Sequence, residues 1–456
     1  MNEELHWLSA TEAAARIRAK QISPVELTQA LLQRIARHDA RYNTFIEVTA
    51  VRALAAARHA EAAVMAGEAL GPLHGVPYGL KDIIDAAGLV TTCHSRILSS
   101  NKAVADAEVT RRLAGAGAIL LGKLATHEFA FGGPAFDLPY PPARNPWNPR
   151  MGPGGSSSGS GAAVGAGFLP AAIGSDTGGS VRNPASMCGV VGMKATYERV
   201  SRRGVFPLSY SLDHVGPLTR TVADNALLLN VMAGVPAPGM AALLEAGVKG
   251  LRVGVLRHFY MRDMEASAEV RDSLEAALDV LRRCGARIVE ISAAPLQDYA
   301  ACNRVILISE ACAVHARWLR ERPQDYSALT RNRLLPGLFL CATDYVQALR
   351  WRARLNERME EALAKVDVAI TASSMDAPYP IDDVAEMERC YPRQARTPFN
   401  VTGHPALGVP VGFTASGLPL GIQIIGKHWD EATVYRAARA YERETAWHTM
   451  HPTLEH

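Results

Sequence analysis

Between Gly152 and Gly192 the chain places twelve of its 37 glycines and seven serines, in the run GPGGSSSGSGAAVGAGFLPAAIGSDTGGSVRNPASMCGVVG. Such density is costly in any regular element, because glycine loses more backbone freedom on folding than any other residue. A flexible linker would explain it only if the run were polar throughout. Instead, residues 162–172 are nearly all apolar and residues 188–193 are apolar again. The run therefore reads as something other than a flexible linker.

Three chemistries use glycine and serine in this way. Phosphate binding at a helix N-terminus is one. Residues 117–123 have the spacing of a nucleotide loop, but Leu124 stands where a metal-binding hydroxyl belongs, and the third glycine after Gly159-Ser160-Gly161 falls one place late, at Gly165. A nucleophile elbow is the second: residues 155–159 fit Gly-x-Ser-x-Gly with Ser157 as nucleophile, and Asp213 and His214 follow. That elbow requires a strand before it, and Pro141, Pro142, Pro146, Pro149 and Pro153 argue against one. The third is a serine activated without histidine. In residues 174–180, Gly-Ser-Asp-Thr-Gly-Gly-Ser, two glycines precede a hydroxyl and let successive N–H groups converge on one point. This is what an oxyanion hole needs, each donor contributing about 3–4 kcal/mol.

Residues 154–157, 174–182, 184–185 and 188–194 together resemble the amidase signature family, and residues 75–82, 211–217 and 399–406 extend the resemblance over most of the chain. The resemblance implies one large amidase-signature α/β fold, with a mixed, twisted β-sheet covered by helices on both faces. It implies Ser180 as nucleophile, Ser156 as a bridging serine on a cis peptide, and Lys81 as base, with separations of 24 and 75 residues. The family's oxyanion hole falls on the N–H groups of Thr177, Gly178, Gly179 and Ser180. Such chemistry requires a neutral Lys81, whose ordinary pKa near 10.4 must be lowered by burial; the apolar residues 76–80 before it supply that burial. Asp176 and Arg182 flank Ser180, where contact with substrate is one reading and a structural pair holding the loop is the favoured one, and Ser157 reads as a helix cap or supporting hydroxyl. The family usually has glycine where Ser158 and Glu198 stand.

The remaining sequence supplies the frame. With 456 residues, 48% of them hydrophobic, the chain can bury a large core. Ser9 with Glu12 and Ser23 with Glu26 form two capping boxes, the second with Pro24 at the first helical position. Helices are expected up to residue 20, up to residue 38, over residues 51–66, and up to residue 115. Residues 76–80 and 118–121 read as buried strands; 251–256, 268–284 and 286–291 as a βαβ-like unit; 345–363 with 366–371, and 418–425 with 431–444, repeat the alternation. A single domain over residues 1–453 is expected: an N-terminal helical segment (1–66), a catalytic core (75–230) and the rest of the α/β core (251–453). Residues 454–456 read as a possible tag remnant.

The net charge of +3, from 48 basic and 45 acidic residues, comes without a like-charged run, so no nucleic-acid partner is expected. Neither a signal segment nor a membrane span is visible, and a cytoplasmic protein without membrane contact is expected. Seven scattered cysteines suggest buried free thiols, and fourteen histidines show no metal spacing, so no metal or cofactor is expected.

The expected activity is hydrolysis of acyl C–N bonds other than peptide bonds, through an acyl-enzyme. The substrate is a small-molecule amide or a carbamate (urethane), and the enzyme a monomer or homodimer. The aromatic, proline-rich residues 129–147 suit a pocket wall for an aryl or hydrophobic acyl group. They differ from the matching stretch of the family member that supplies ammonia for tRNA-bound glutamate. That role, a glutamine amidase subunit of a tRNA-dependent amidotransferase complex, is the alternative.

Overall fold

A computed structural model describes residues 5–454. The N-terminal helices start where their caps predict. Ser9 Oγ accepts the N–H of Glu12 and opens helix Ala10–Arg18, and Ser23 Oγ accepts those of Val25 and Glu26 and opens helix Pro24–Tyr42. Helix Ala50–Ala66 then stops at Gly67, held at φ 74°. The tail residues Glu455 and His456 lie outside the described residues, as does the opening stretch Met1–Glu4.

Eleven strands form one sheet among the described residues: β1 (Phe45–Val48), β2 (Pro77–Lys81), β3 (Ile119–Leu124), β4 (Ala171–Asp176), β5 (Val191–Lys194), β6 (His214–Thr219), β7 (Arg252–Val255), β8 (Arg287–Glu290), β9 (Val368–Ala372), β10 (Ala406–Phe413) and β11 (Pro419–Ile425). Their spatial order is β1-β3-β2-β4-β6-β5-β10-β11-β9-β7-β8, and helices surround them. β2 runs parallel to both β3 and β4, β7 runs parallel to both β8 and β9, and the remaining pairings are antiparallel. The sheet is thus mixed, and β7, helix Ala268–Arg283 and β8 are the expected βαβ unit.

Of the strands that the sequence pattern did not reveal, β1, β4, β5, β6 and β10, β4 lies wholly in the glycine-rich region. β4, AAIGSD, is built from residues depleted in strands, yet every one of them is buried. Small residues are required there. A Cβ on Gly174 would come within 2.6 Å of Ser157 Oγ, so only glycine lets that hydroxyl reach the strand. Helix Leu296–Glu321 was also unforeseen, because its inner face carries Asn303, Glu310 and His315 among the apolar residues and breaks the helical period. Glu198, at a position where the family usually has glycine, sits at φ 64° in an exposed turn. Five of the seven cysteines are buried, while Cys284 is partly buried and Cys341 exposed.

Candidate active site

Lys81 ends β2, the strand between β3 and β4, and is completely buried. Its Nζ lies 2.7 Å from Ser156 Oγ and 2.8 Å from Ser175 Oγ. The adjacent carboxylate, Asp82, does not neutralise it, because successive side chains of an extended segment point to opposite sides. Asp82 instead pairs with the equally buried Lys123 at 2.8 Å and accepts the N–H of Thr92 at 3.0 Å. With two hydroxyls as partners, Lys81 is pushed down to about 7 by burial, which outweighs the more distant negative charges of Asp176 and Asp213.

Ser156 follows a cis peptide bond from Gly155. Its carbonyl oxygen accepts from Thr126 Oγ1 at 2.9 Å and from the His127 N–H at 3.1 Å, while the Gly155 N–H donates to Asn183 Oδ1 at 2.9 Å. Gly155 has no room for a side chain, since a Cβ there would fall on the His127 ring. Ser157 precedes helix Ser158–Gly165 without capping it. Its Oγ donates to the Ser175 carbonyl at 3.1 Å and accepts the Ser175 N–H at 3.2 Å, so it is the supporting hydroxyl.

Ser180 lies in the turn between β4 and helix Arg182–Cys188, and its carbonyl accepts the Ser157 N–H at 3.2 Å. The turn is held from beneath by Asp176 and Arg182, both fully buried and 2.9 Å apart. Burial works against the Asp176 charge, but Arg182 and Asn400 prevail and hold its carboxyl well below the usual range. Asp176 also accepts the N–H groups of Gly179 and Val181 at 2.8 and 3.0 Å. The Gly179 N–H is therefore engaged, which narrows the four expected donors to those of Thr177, Gly178 and Ser180. Removing either half of the pair strands a buried charge, so Arg182→Met should lower stability by about 3–5 kcal/mol, measurable by urea unfolding.

Several supporting residues escaped sequence reasoning. Ser175 stood inside the recognised motif, and its position could have marked it. Asn303, which donates to the Thr177 carbonyl at 3.2 Å, carries no local signal, whereas Asn400, which donates to Asp176 Oδ1 at 2.8 Å, stood inside the resembling segment 399–406 without a role. The buried Arg396 lies against Gly179; its Nη1 donates to the Ser373 carbonyl at 2.9 Å, while its Nε has no hydrogen-bond partner. Asp213, raised to about 6 by burial, accepts from Thr177 Oγ1 at 2.6 Å. His214 Nδ1 donates to the Leu212 carbonyl at 2.7 Å, so these two residues do not form the relay of a nucleophile elbow.

A cleft of about 720 Å³ reaches Ser175 and is lined chiefly by residues 198–215, among them Phe206, Tyr210 and Asp213. None of residues 129–147 lines this cleft. Phe129 is buried in an aromatic cluster with Phe206, His315, Trp318 and Tyr326, where its ring has more apolar surface to cover than a solvent-filled cleft offers.

Residues 26–435 match the family model Amidase, and the chain belongs to this amidase signature family of enzymes acting on carbon–nitrogen bonds. It is 38% identical, over 99% of both chains, to the A-subunit of glutamyl-tRNA(Gln) amidotransferase from Chloroflexus aggregans. Among solved structures it resembles the corresponding A-subunit from Thermotoga maritima, with a TM-score of 0.82, 33% identity and coverage of 99% and 98% of the two chains. It also resembles a structure described as an unexpected vestigial protein complex that reveals the evolutionary origins of an s-triazine catabolic enzyme, with a TM-score of 0.89, 32% identity and coverage of 98% and 100%.

These relatives overturn one expectation, that of a monomer or homodimer with no nucleic-acid partner. Full-length relatives are named as one subunit of an amidotransferase defined by its tRNA. Net charge could not reveal this, because it tests only whether this chain's own surface tracks phosphates, whereas one subunit of a complex can serve a tRNA-linked reaction without such a surface. For the membrane, the described residues contain no helix long and apolar enough to cross one.

Proposed function

We propose that this chain is an ammonia-releasing glutamine amidase, working as one subunit of a tRNA-dependent amidotransferase. The observation that carries the chemistry is the buried Lys81, which has no carboxylate partner in its hydrogen bonds and lies 2.7 Å from Ser156 Oγ. Neutral Lys81 takes the Ser156 proton as Ser156 takes that of Ser180, and Ser180 Oγ attacks the amide carbon. The oxyanion is held by the N–H groups of Thr177, Gly178 and Ser180. The proton returns from Lys81 through Ser156 to the leaving nitrogen, which departs as ammonia, and water then releases the acyl group as glutamate. Arg396 supports this substrate, because a fixed guanidinium beside the Ser180 turn suits an acyl group carrying a carboxylate.

A second reading, hydrolysis of a small non-peptide amide, carbamate or urea within a protein complex, is favoured by the higher TM-score to the s-triazine enzyme at nearly equal identity. Ammonia release from glutamine, measured for the chain alone and with the partner proteins that co-purify with it, separates the two. The first reading expects glutamine turnover that rises on assembly. Turnover of a nitrophenyl carbamate or anilide with none of glutamine would replace it by the second.

A further inference from the structure

Far from Lys81 in sequence, three elements bring metal-ligand chemistry to one point. Glu360 lies in the last turn of helix Ala342–Leu363, His404 in the turn before β10, and His428 just after β11. Glu360 Oε1 is 3.2 Å from His404 Nε2 and 3.2 Å from His428 Nε2, and one ligand atom from each of the three residues lies within 4.8 Å of the others. The imidazoles stack with centroids 3.9 Å apart.

The hydrogen bonds around His404 fix one tautomer. Thr402 Oγ1 donates its single proton to the Pro398 carbonyl at 2.9 Å, so its contact with His404 Nδ1, also 2.9 Å, needs the proton on Nδ1. In the neutral ring Nε2 then carries a bare lone pair. The His404 side chain is fully buried, and Nε2 has no hydrogen-bond partner although the Glu360 carboxylate is close by. A buried imidazole nitrogen without a hydrogen-bond partner, 3.2 Å from a carboxylate oxygen that lies equally close to a second imidazole nitrogen, is an arrangement that a cation among the three atoms would satisfy.

We propose that Glu360 Oε1, His404 Nε2 and His428 Nε2 bind one zinc ion. Two imidazoles and a carboxylate are ordinary zinc ligands, and tetrahedral arms of about 2.0–2.1 Å place ligand atoms about 3.3 Å apart, close to the two 3.2 Å distances from Glu360 Oε1, while the third pair lies within 4.8 Å. The Nδ1–H of His404 on Thr402 is the supporting bond that fixes a ligating imidazole. The Glu360 and His428 side chains are 47% and 28% exposed, which leaves the fourth position to water. The role is structural: the ion ties helix Ala342–Leu363 and the end of β11 to the turn that follows Asn400, the residue that steadies Asp176. The sequence carried no metal spacing because the ligands come from three separate elements.

The test uses untagged full-length protein, stripped with chelator, equilibrated with zinc chloride, desalted and analysed for bound metal. About one zinc per chain is expected, with near-complete loss in His428→Ala and in Glu360→Gln, whose folding is checked by circular dichroism. Thr402→Val, which keeps all three ligands, should weaken zinc binding about 10- to 100-fold. Cobalt(II) in place of zinc should give the visible bands of a tetrahedral site. A wild-type chain that retains no more zinc than His428→Ala, or gives no such bands, overturns the proposal and leaves a histidine pair bridged to a carboxylate by protons.

Discussion

Ser180→Ala should abolish turnover while leaving the fold intact, with kcat falling roughly 10⁴- to 10⁶-fold. The change removes the atom that forms the acyl bond, and no neighbouring hydroxyl can replace it. Ser156 is bound to Lys81, and Ser157 is spent on both backbone groups of Ser175. The substituted chain should still bind substrate, because Thr177, Gly178 and the residue 180 N–H keep their backbone positions. Steady-state and single-turnover kinetics on the same amide would check both halves. A variant retaining a tenth of the activity would mean that another residue attacks.

Lys81→Met should lower kcat/KM by about 10⁴-fold and, more specifically, change the shape of its pH profile. In the wild-type protein Lys81 titrates near 7 because burial disfavours its charge. Below that pH the amine is protonated and cannot accept a proton, so kcat/KM should rise about tenfold per pH unit on the acid side and level off above the midpoint. In Lys81→Met that acid limb should vanish and the residual rate run flat through the same range. If the limb survives the substitution, another group sets it, and Asp213, raised to about 6, is the nearest candidate.

The three residues assigned to chemistry were legible because a dense local pattern carries the family resemblance. The capped helices were legible for a local reason too, since Ser9 and Ser23 advertise their own helix starts. β4 was hidden because its alanines, glycine and serine were selected for close approach rather than for strand propensity. Asn303 and Arg396 were hidden because they reach Ser180's turn from segments more than a hundred residues away, where neither period nor spacing marks them, and Asn400 lay in the resembling segment 399–406 without a sign of its role. The partner expectation failed from reading only this chain's own charge, and association is a property that a single sequence expresses weakly.

The central claim is that a neutral, buried Lys81 activates Ser180 through Ser156. The rate at which a fluorophosphonate probe labels the protein, followed by mass spectrometry from pH 5 to 9 (about two units either side of the Lys81 midpoint), tests it directly. A single adduct on Ser180 is expected, forming at a rate that rises with a midpoint near pH 7 and losing that rise in Lys81→Met. An adduct on another residue, or a Ser180 labelling rate that does not depend on pH, would contradict it.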